Sequence, residues 1–260
     1  MLTGYYVIKD GDHEVARSNN IITTVGKRHI LNYVANKISD RSRYIGIGIG
    51  TSAASASNYK LDFEINKYQV YTSTVDYSTG TIIMKAQLPL QLAATISEIG
   101  LFPGISTSRD GDSRVITFFN NDSSWTNGSF RSDSANSKIN NTSFQIQSAS
   151  GAVTTATSTD IPFSLEGYST DDSISIAFKQ NDVNLQYIDI VIHSSNSDYY
   201  TYRINGTASI GHRVVEVPLV NFLATPTGSP TDSINKISIS VKASGTTSSS
   251  VDFDGIRIND

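Results

Sequence analysis

The sequence predicts a mainly β protein: an N-terminal α+β module with one helix, followed by a β-sandwich of the jelly-roll type. Three observations carry that expectation. Only one segment of the 260 residues repeats its apolar positions at helical spacing. Beyond it, apolar residues alternate along short runs broken by turn residues, as half-buried strands do. Composition agrees, since 13 Tyr and 10 Phe stand among abundant Ser and Thr, a mixture suited to pleated surfaces.

Taken in order, the first ten residues lack the basic flank and apolar run of a secretion signal, so none is expected. Asp10-Gly11-Asp12 and, later, Asp110-Gly111-Asp112 read as tight turns, because neither continues into a cation-binding ligand ladder. Leu31, Val34, Ala35 and Ile38 then recur at i, i+3, i+4 and i+7, widened by Ile30 and Tyr33, and predict the helix; Thr23 or Thr24 can cap it. Gly46-Ile47-Gly48-Ile49-Gly50 predicts a strand with one bare face that another backbone can approach closely. It is not a dinucleotide loop, since the third glycine and the following helix are both missing. Strands are expected over residues 61–71, 81–88, 95–102 and 114–119, with a hairpin turn at Ser78-Thr79-Gly80. From Asn120 to Gly128 the chain is polar apart from Trp125, which sets the expected domains at 1–119 and 120–260.

In the second domain Ile174/Ile176/Phe178, Ile188/Ile190/Ile192, Tyr200/Tyr202/Ile204 and Ile237/Ile239/Val241 each keep one apolar phase, which predicts a two-sheet sandwich. The last strand switches phase between Val251/Phe253 and Ile256/Ile258. One residue must be extra, and Asp254-Gly255 is the expected bulge.

Composition also bounds function. A formal net charge of −4 without a basic run argues against a nucleic-acid backbone as partner. The absence of cysteine removes disulfides, thiol catalysis and thiolate metal sites. No run of ~18 apolar residues occurs, so membrane insertion is not expected. The four histidines never fall at i, i+4, and no Gly-x-Ser-x-Gly elbow is present. His193 ends an apolar run before a polar loop and reads as a solvated loop histidine.

Glutamate occurs five times, without the paired carboxylates a glycosidase needs, so no enzymatic activity is expected. Glu98 lies within Ile96-Ser97-Glu98-Ile99-Gly100-Leu101-Phe102. Because an unpaired buried carboxylate costs several kcal/mol, the expectation is that it accepts backbone hydrogen bonds and does not act as a general acid. Aromatic rings can stack on sugar faces, which makes Trp125, Tyr200 and Tyr202 the candidate carbohydrate-binding residues; the competing reading packs the tyrosines inside the sandwich.

Two resemblances follow from these motifs. Ile21-Ile22-Thr23-Thr24-Val25-Gly26-Lys27, Ile45 to Thr51, Leu61-Asp62-Phe63-Glu64 and Ile96 to Phe102, in that order and spacing, resemble an N-terminal module of bacteriophage tail-fibre, baseplate and collar proteins. Pro103-Gly104 departs from the charged residue common after Gly-Leu-Phe in that module. The resemblance implies a structural virion component whose partners are other virion proteins and copies of itself, as a trimer or ring, with a host surface glycan as a candidate ligand; the alternative is a carbohydrate-binding module or a glycan depolymerase. The second half is similar to carbohydrate-binding-module jelly rolls, on the early Trp125 and the closing Val251-Asp252-Phe253-Asp254-Gly255-Ile256-Arg257-Ile258. That likeness implies a structural calcium with Asp254 as a ligand; an Asp that simply shapes the bulge is the open alternative.

Overall fold

The structure is a computed structural model, and it describes residues 4–37, 44–89, 94–102, 113–119, 124–132, 135–158, 163–165, 168–195, 198–225 and 233–259. The chain divides into two units, Met1–Leu90 with Ile96–Gly111, and Gln91–Thr95 with Asp112–Asp260.

The first unit begins with an antiparallel hairpin of β1 (Gly4–Asp10) and β2 (His13–Asn20), which turns where Gly11 takes φ +58. Helix α1 (Thr24–Val34) starts at Thr23, whose hydroxyl accepts the Gly26 N–H at 3.1 Å, so the expected cap is present. None of its residues is buried: Leu31 is 68% and Val34 77% exposed. Ile38 and Asp110-Gly111-Asp112 lie outside the described residues.

A four-stranded antiparallel sheet follows, in the order β5-β4-β3-β6, from β3 (Tyr44–Gly48), β4 (Glu64–Asp76), β5 (Thr81–Ala86) and β6 (Glu98–Phe102). Ile47, Ile49 and Phe63 form its small buried centre. The bare side of the glycine run is used as expected: a Cβ on Gly48 would stand 2.5 Å from the Phe63 carbonyl oxygen, and one on Gly50 would collide with the Glu98 carboxylate. Glu98 occupies that space and accepts the N–H groups of Gly50 at 2.7 Å, Asp62 at 2.8 Å and Phe63 at 3.2 Å. Burial pushes its pKa above the usual carboxylate value, against the pull of those three donors. Glu98 is thus a backbone clamp, as its apolar surroundings predicted.

The second unit is a sandwich of two antiparallel sheets. Its strands are β7 (Ser113–Thr117), β8 (Ser129–Ser132), β9 (Thr142–Ser148), β10 (Val153–Ser158), β11 (Phe163–Ser164), β12 (Ser173–Gln180), β13 (Leu185–His193), β14 (Tyr199–Asn205), β15 (Gly211–Pro218), β16 (Leu223–Thr225), β17 (Ser233–Ile234), β18 (Lys236–Ala243) and β19 (Ser249–Asn259). One sheet runs β15-β12-β19-β9-β8, with β7 also paired to β19; the other runs β10-β18-β13-β14-β16. The four apolar phases read from the sequence all point into the shared core, where Ile176, Phe178, Ile190, Ile239 and Phe253 are fully buried. Phe119 stacks on Phe144 with centroids 5.6 Å apart at 3°, and Phe144 also meets Trp125 at 5.2 Å.

The phase switch in β19 is a bulge as expected. Phe253 pairs with Phe178 and Gly255 with Ala177, which leaves Asp254 as the extra residue. The expected domain boundary at 119/120 needs correction. Thr117 pairs with Ile256 and Phe119 is buried among the sandwich aromatics, so the strand before Asn120 is held by the second unit's ladder and core, not by the first unit.

Candidate functional site

Two of the three carbohydrate-binding candidates are core residues. Trp125 is 7% and Tyr200 3% exposed, and both belong to the hydrophobic cluster between the sheets. Tyr202, on the same phase of β14, is half-buried, packs against that cluster and meets Phe222 at 5.6 Å. The physical reason is pleat: Tyr200 and Tyr202 pair with Ile192 and Ile190, and paired residues share a face, here the inner one. Rings held there cannot present a flank to a sugar.

The opposite phase of the same sheet is outward and, apart from the buried Ser238, accessible. Cross-strand register arranges it as four rows. At one end lie Val153, Lys242, Tyr187 and Asn205; next come Thr155, Ser240, Asp189 and Arg203; then Thr157, Ser238, Val191 and Thr201; and at the far end Lys236, His193 and Tyr199. Tyr187, Val191 and Tyr199 are half-buried by their neighbours, while Arg203 and Asn205 are exposed.

Each row has a defined chemistry. Arg203 donates to Asp189 through Nε and Nη2, both at 2.7 Å, and its guanidinium lies 3.6 Å from the Tyr187 ring centroid, a bidentate pair stacked on an aromatic face. Thr155 and Ser240 share a hydrogen bond at 2.8 Å, and Thr157 and Ser238 one at 3.1 Å, giving a hydroxyl ladder across the middle. His193 is the last residue of β13 and not part of a solvated loop: its Nε2 sits 3.2 Å from the Ser238 hydroxyl and its ring 5.6 Å from Tyr199. Burial, with help from the Lys236 charge, lowers its pKa to about 4, so it is neutral at pH 7.

The other sheet also carries polar side chains on its outward phase, but these are buried: Ser175, Asp252, Asp254, Arg257 and Asn259. Both Asp254 carboxylate oxygens accept the Lys138 N–H at 3.2 Å, and His212 Nδ1 lies 3.6 Å away. Lys179 donates to the Ala135 carbonyl at 3.0 Å and to Asn136 Oδ1 at 2.6 Å; Asp252 meets Arg131 at 3.7 Å and accepts from the Ser143 hydroxyl at 3.4 Å and from Asn181. A calcium ion takes six to eight oxygen ligands. Around Asp254 the observed neighbours are an N–H and an imidazole, and among the described residues no three acidic or histidine side chains converge. Asp254 is thus the bulge residue, held by the Lys138 N–H with the His212 imidazole nearby.

No protein-family model and no curated protein matches the chain. Among solved structures, a family 11 carbohydrate-binding module from Clostridium thermocellum, in complex with a β-1,3-1,4-mixed-linked tetrasaccharide, shares 15% identity over 56% of this chain and 95% of its own, with a TM-score of 0.39. A family 28 module specific for non-crystalline cellulose shares 10% identity over 58% of this chain and 96% of its own, at 0.39. An exo-β-agarase shares 14% over 56% of this chain and 25% of its own, at 0.38. At these scores the likenesses are resemblances only, and the weight falls on the residues of the open face.

Proposed function

We propose that the sandwich is a non-catalytic glycan-binding module that takes its ligand on the open face of the β10-β18-β13-β14-β16 sheet. The observation that carries this is the placement of two aromatic stations, Tyr199 beside His193 and Tyr187 beneath Arg203, at opposite ends of a face whose middle is a hydroxyl ladder. Six residues of strand separate the two ends, roughly 20 Å at about 3.3 Å per residue, a length that suits an extended oligosaccharide. Rings stack on the apolar sides of sugars while hydroxyls exchange hydrogen bonds with theirs. A binding role is favoured over hydrolysis because the one carboxylate in those rows, Asp189, is tied up by Arg203.

The test is binding of the full chain to immobilised glycans. Tyr199→Ala is expected to lose binding with unchanged melting. Full retention of binding by that variant, or no glycan bound by the parent protein, would reject the open face as the site.

A second reading, a structural phage virion component anchored through the first unit as a homo-oligomer, is favoured by a separate observation. No residue of helix α1 is fully buried, and Ile82 and Ile83 on β5 are 60% and 46% exposed, apolar surface of the kind that assembly contacts cover. Light scattering on the purified chain, together with a search for it in intact phage particles, tests this reading. A monomer absent from particles would reject it.

A further inference from the structure

The charges on the open face specify more than a sugar. The four rows carry three cations, Lys236, Lys242 and Arg203, against one carboxylate, Asp189, on a chain whose formal net charge is −4 and whose charged content is only 17%. Arg203 is neutralised by Asp189. Among the described residues neither lysine has an ion-pair partner; Lys242 donates to the Gly151 carbonyl and Lys236 lies close enough to His193 to disfavour its protonation. The uncompensated charge therefore sits at the two ends of β18, six residues apart, and each lysine shares its row with an aromatic station, Lys236 with Tyr199 and Lys242 with Tyr187.

We infer that the ligand of this face is an anionic polysaccharide whose acidic groups reach Lys236 and Lys242 while its neutral sugar surface rests on Tyr199 and on the Arg203 guanidinium that covers Tyr187. The inference rests on the glycan-binding reading above and names its substrate class. Carboxylate and sulfate sugars offer the same chemistry to a lysine, a compact anion for a compact cation. A nucleic acid would present phosphates to the same lysines, and an oligonucleotide probe separates it from an acidic glycan.

The experiment measures retardation of the full chain in gels containing polygalacturonate, dextran sulfate or neutral mixed-linkage β-glucan, with a single-stranded oligonucleotide as a fourth probe. The expected result is retardation by one or both acidic polymers, weakened at high salt, and at least tenfold weaker affinity in a Lys236→Gln/Lys242→Gln variant of unchanged melting temperature. Whichever acidic polymer binds identifies carboxylate or sulfate as the preferred group. Retardation by the neutral glucan alone, undisturbed by the lysine changes, would overturn the anionic assignment and leave the glycan reading standing. Equal affinity for the oligonucleotide would overturn it in favour of general polyanion contact. Failure of every polymer to bind would overturn both.

Discussion

The two sheets of the sandwich share one core, yet their outward faces have opposite fates. On the six-stranded side Asp252, Asp254 and Arg257 are buried, and residues 135–138 hydrogen-bond across the face to Asp254 and Lys179. On the five-stranded side Tyr187, Asp189, His193, Tyr199 and Arg203 face outward and remain accessible, with no comparable loop bonded over them among the described residues. Both faces are polar on the same strand period. What separates them is whether a loop is bonded over the polar groups and buries them or leaves them accessible, so polarity alone does not mark a binding face.

The largest effect that sharpens this contrast belongs to Tyr200→Ala. Truncating an aromatic ring packed between the sheets is expected to cost about 3–5 kcal/mol, read in urea unfolding, whereas Tyr199→Ala is expected to change binding and not stability. A Tyr200→Ala variant with wild-type stability and lost glycan binding would reverse the assignment of inner and outer phases. Next comes Asp254→Ala on the closed face. It leaves the Lys138 N–H without its acceptor and removes a buried carboxylate 3.6 Å from the His212 imidazole, and a loss of about 2–3 kcal/mol is expected. Adding calcium is expected to leave the melting temperature of the parent protein unchanged, and a calcium-dependent rise abolished in the variant would restore the metal reading.

On the open face the corresponding change is smaller. Asp189→Asn breaks an ion pair in which Arg203 is 53% exposed, and solvent screening limits the expected loss to about 1 kcal/mol or less. A loss as large as that of Asp254→Ala would mean the open face is not open. A separate handle on the open face is the pH effect of His193. Its pKa falls from 6.5 in the unfolded chain to about 4 in the fold, so its contribution is complete above pH 6.5 and is lost as pH drops from there toward 4. Comparing His193→Asn with the parent protein across that window should show a flatter stability profile in the variant.

Much of the fold was legible because strands encode inside and outside locally. The period-two phases of β12, β13, β14 and β18 located the core, and the odd-to-even switch after Phe253 located the bulge at Asp254. The apolar flanks of Glu98 predicted its backbone bonds, and the glycine run predicted the space it fills. The site was legible only in part. Tyr199, Tyr200 and Tyr202 were visible as an aromatic strand, but the preference for Tyr200 and Tyr202 took the phase shared with Ile204, which is the buried one. The useful signal was the other phase, where Tyr199 runs with Thr201 and Arg203. The boundary at 119/120 failed for a different reason: a polar run marks a loop, and a loop does not say which sheet the strand before it joins.

The sequence by itself determined the class of fold, the phase of its strands, the bulge and the Glu98 clamp, since each is written in residues close together along the chain. Only the tertiary structure decided which polar face is closed and which is open. Closure depends on pairs such as Lys138 and Asp254, 116 residues apart, and on register that sets Lys236, His193 and Tyr199 side by side from three separate strands. Local periodicity fixes the side of a sheet on which a residue lies, but what covers that side is set by contacts distant in sequence.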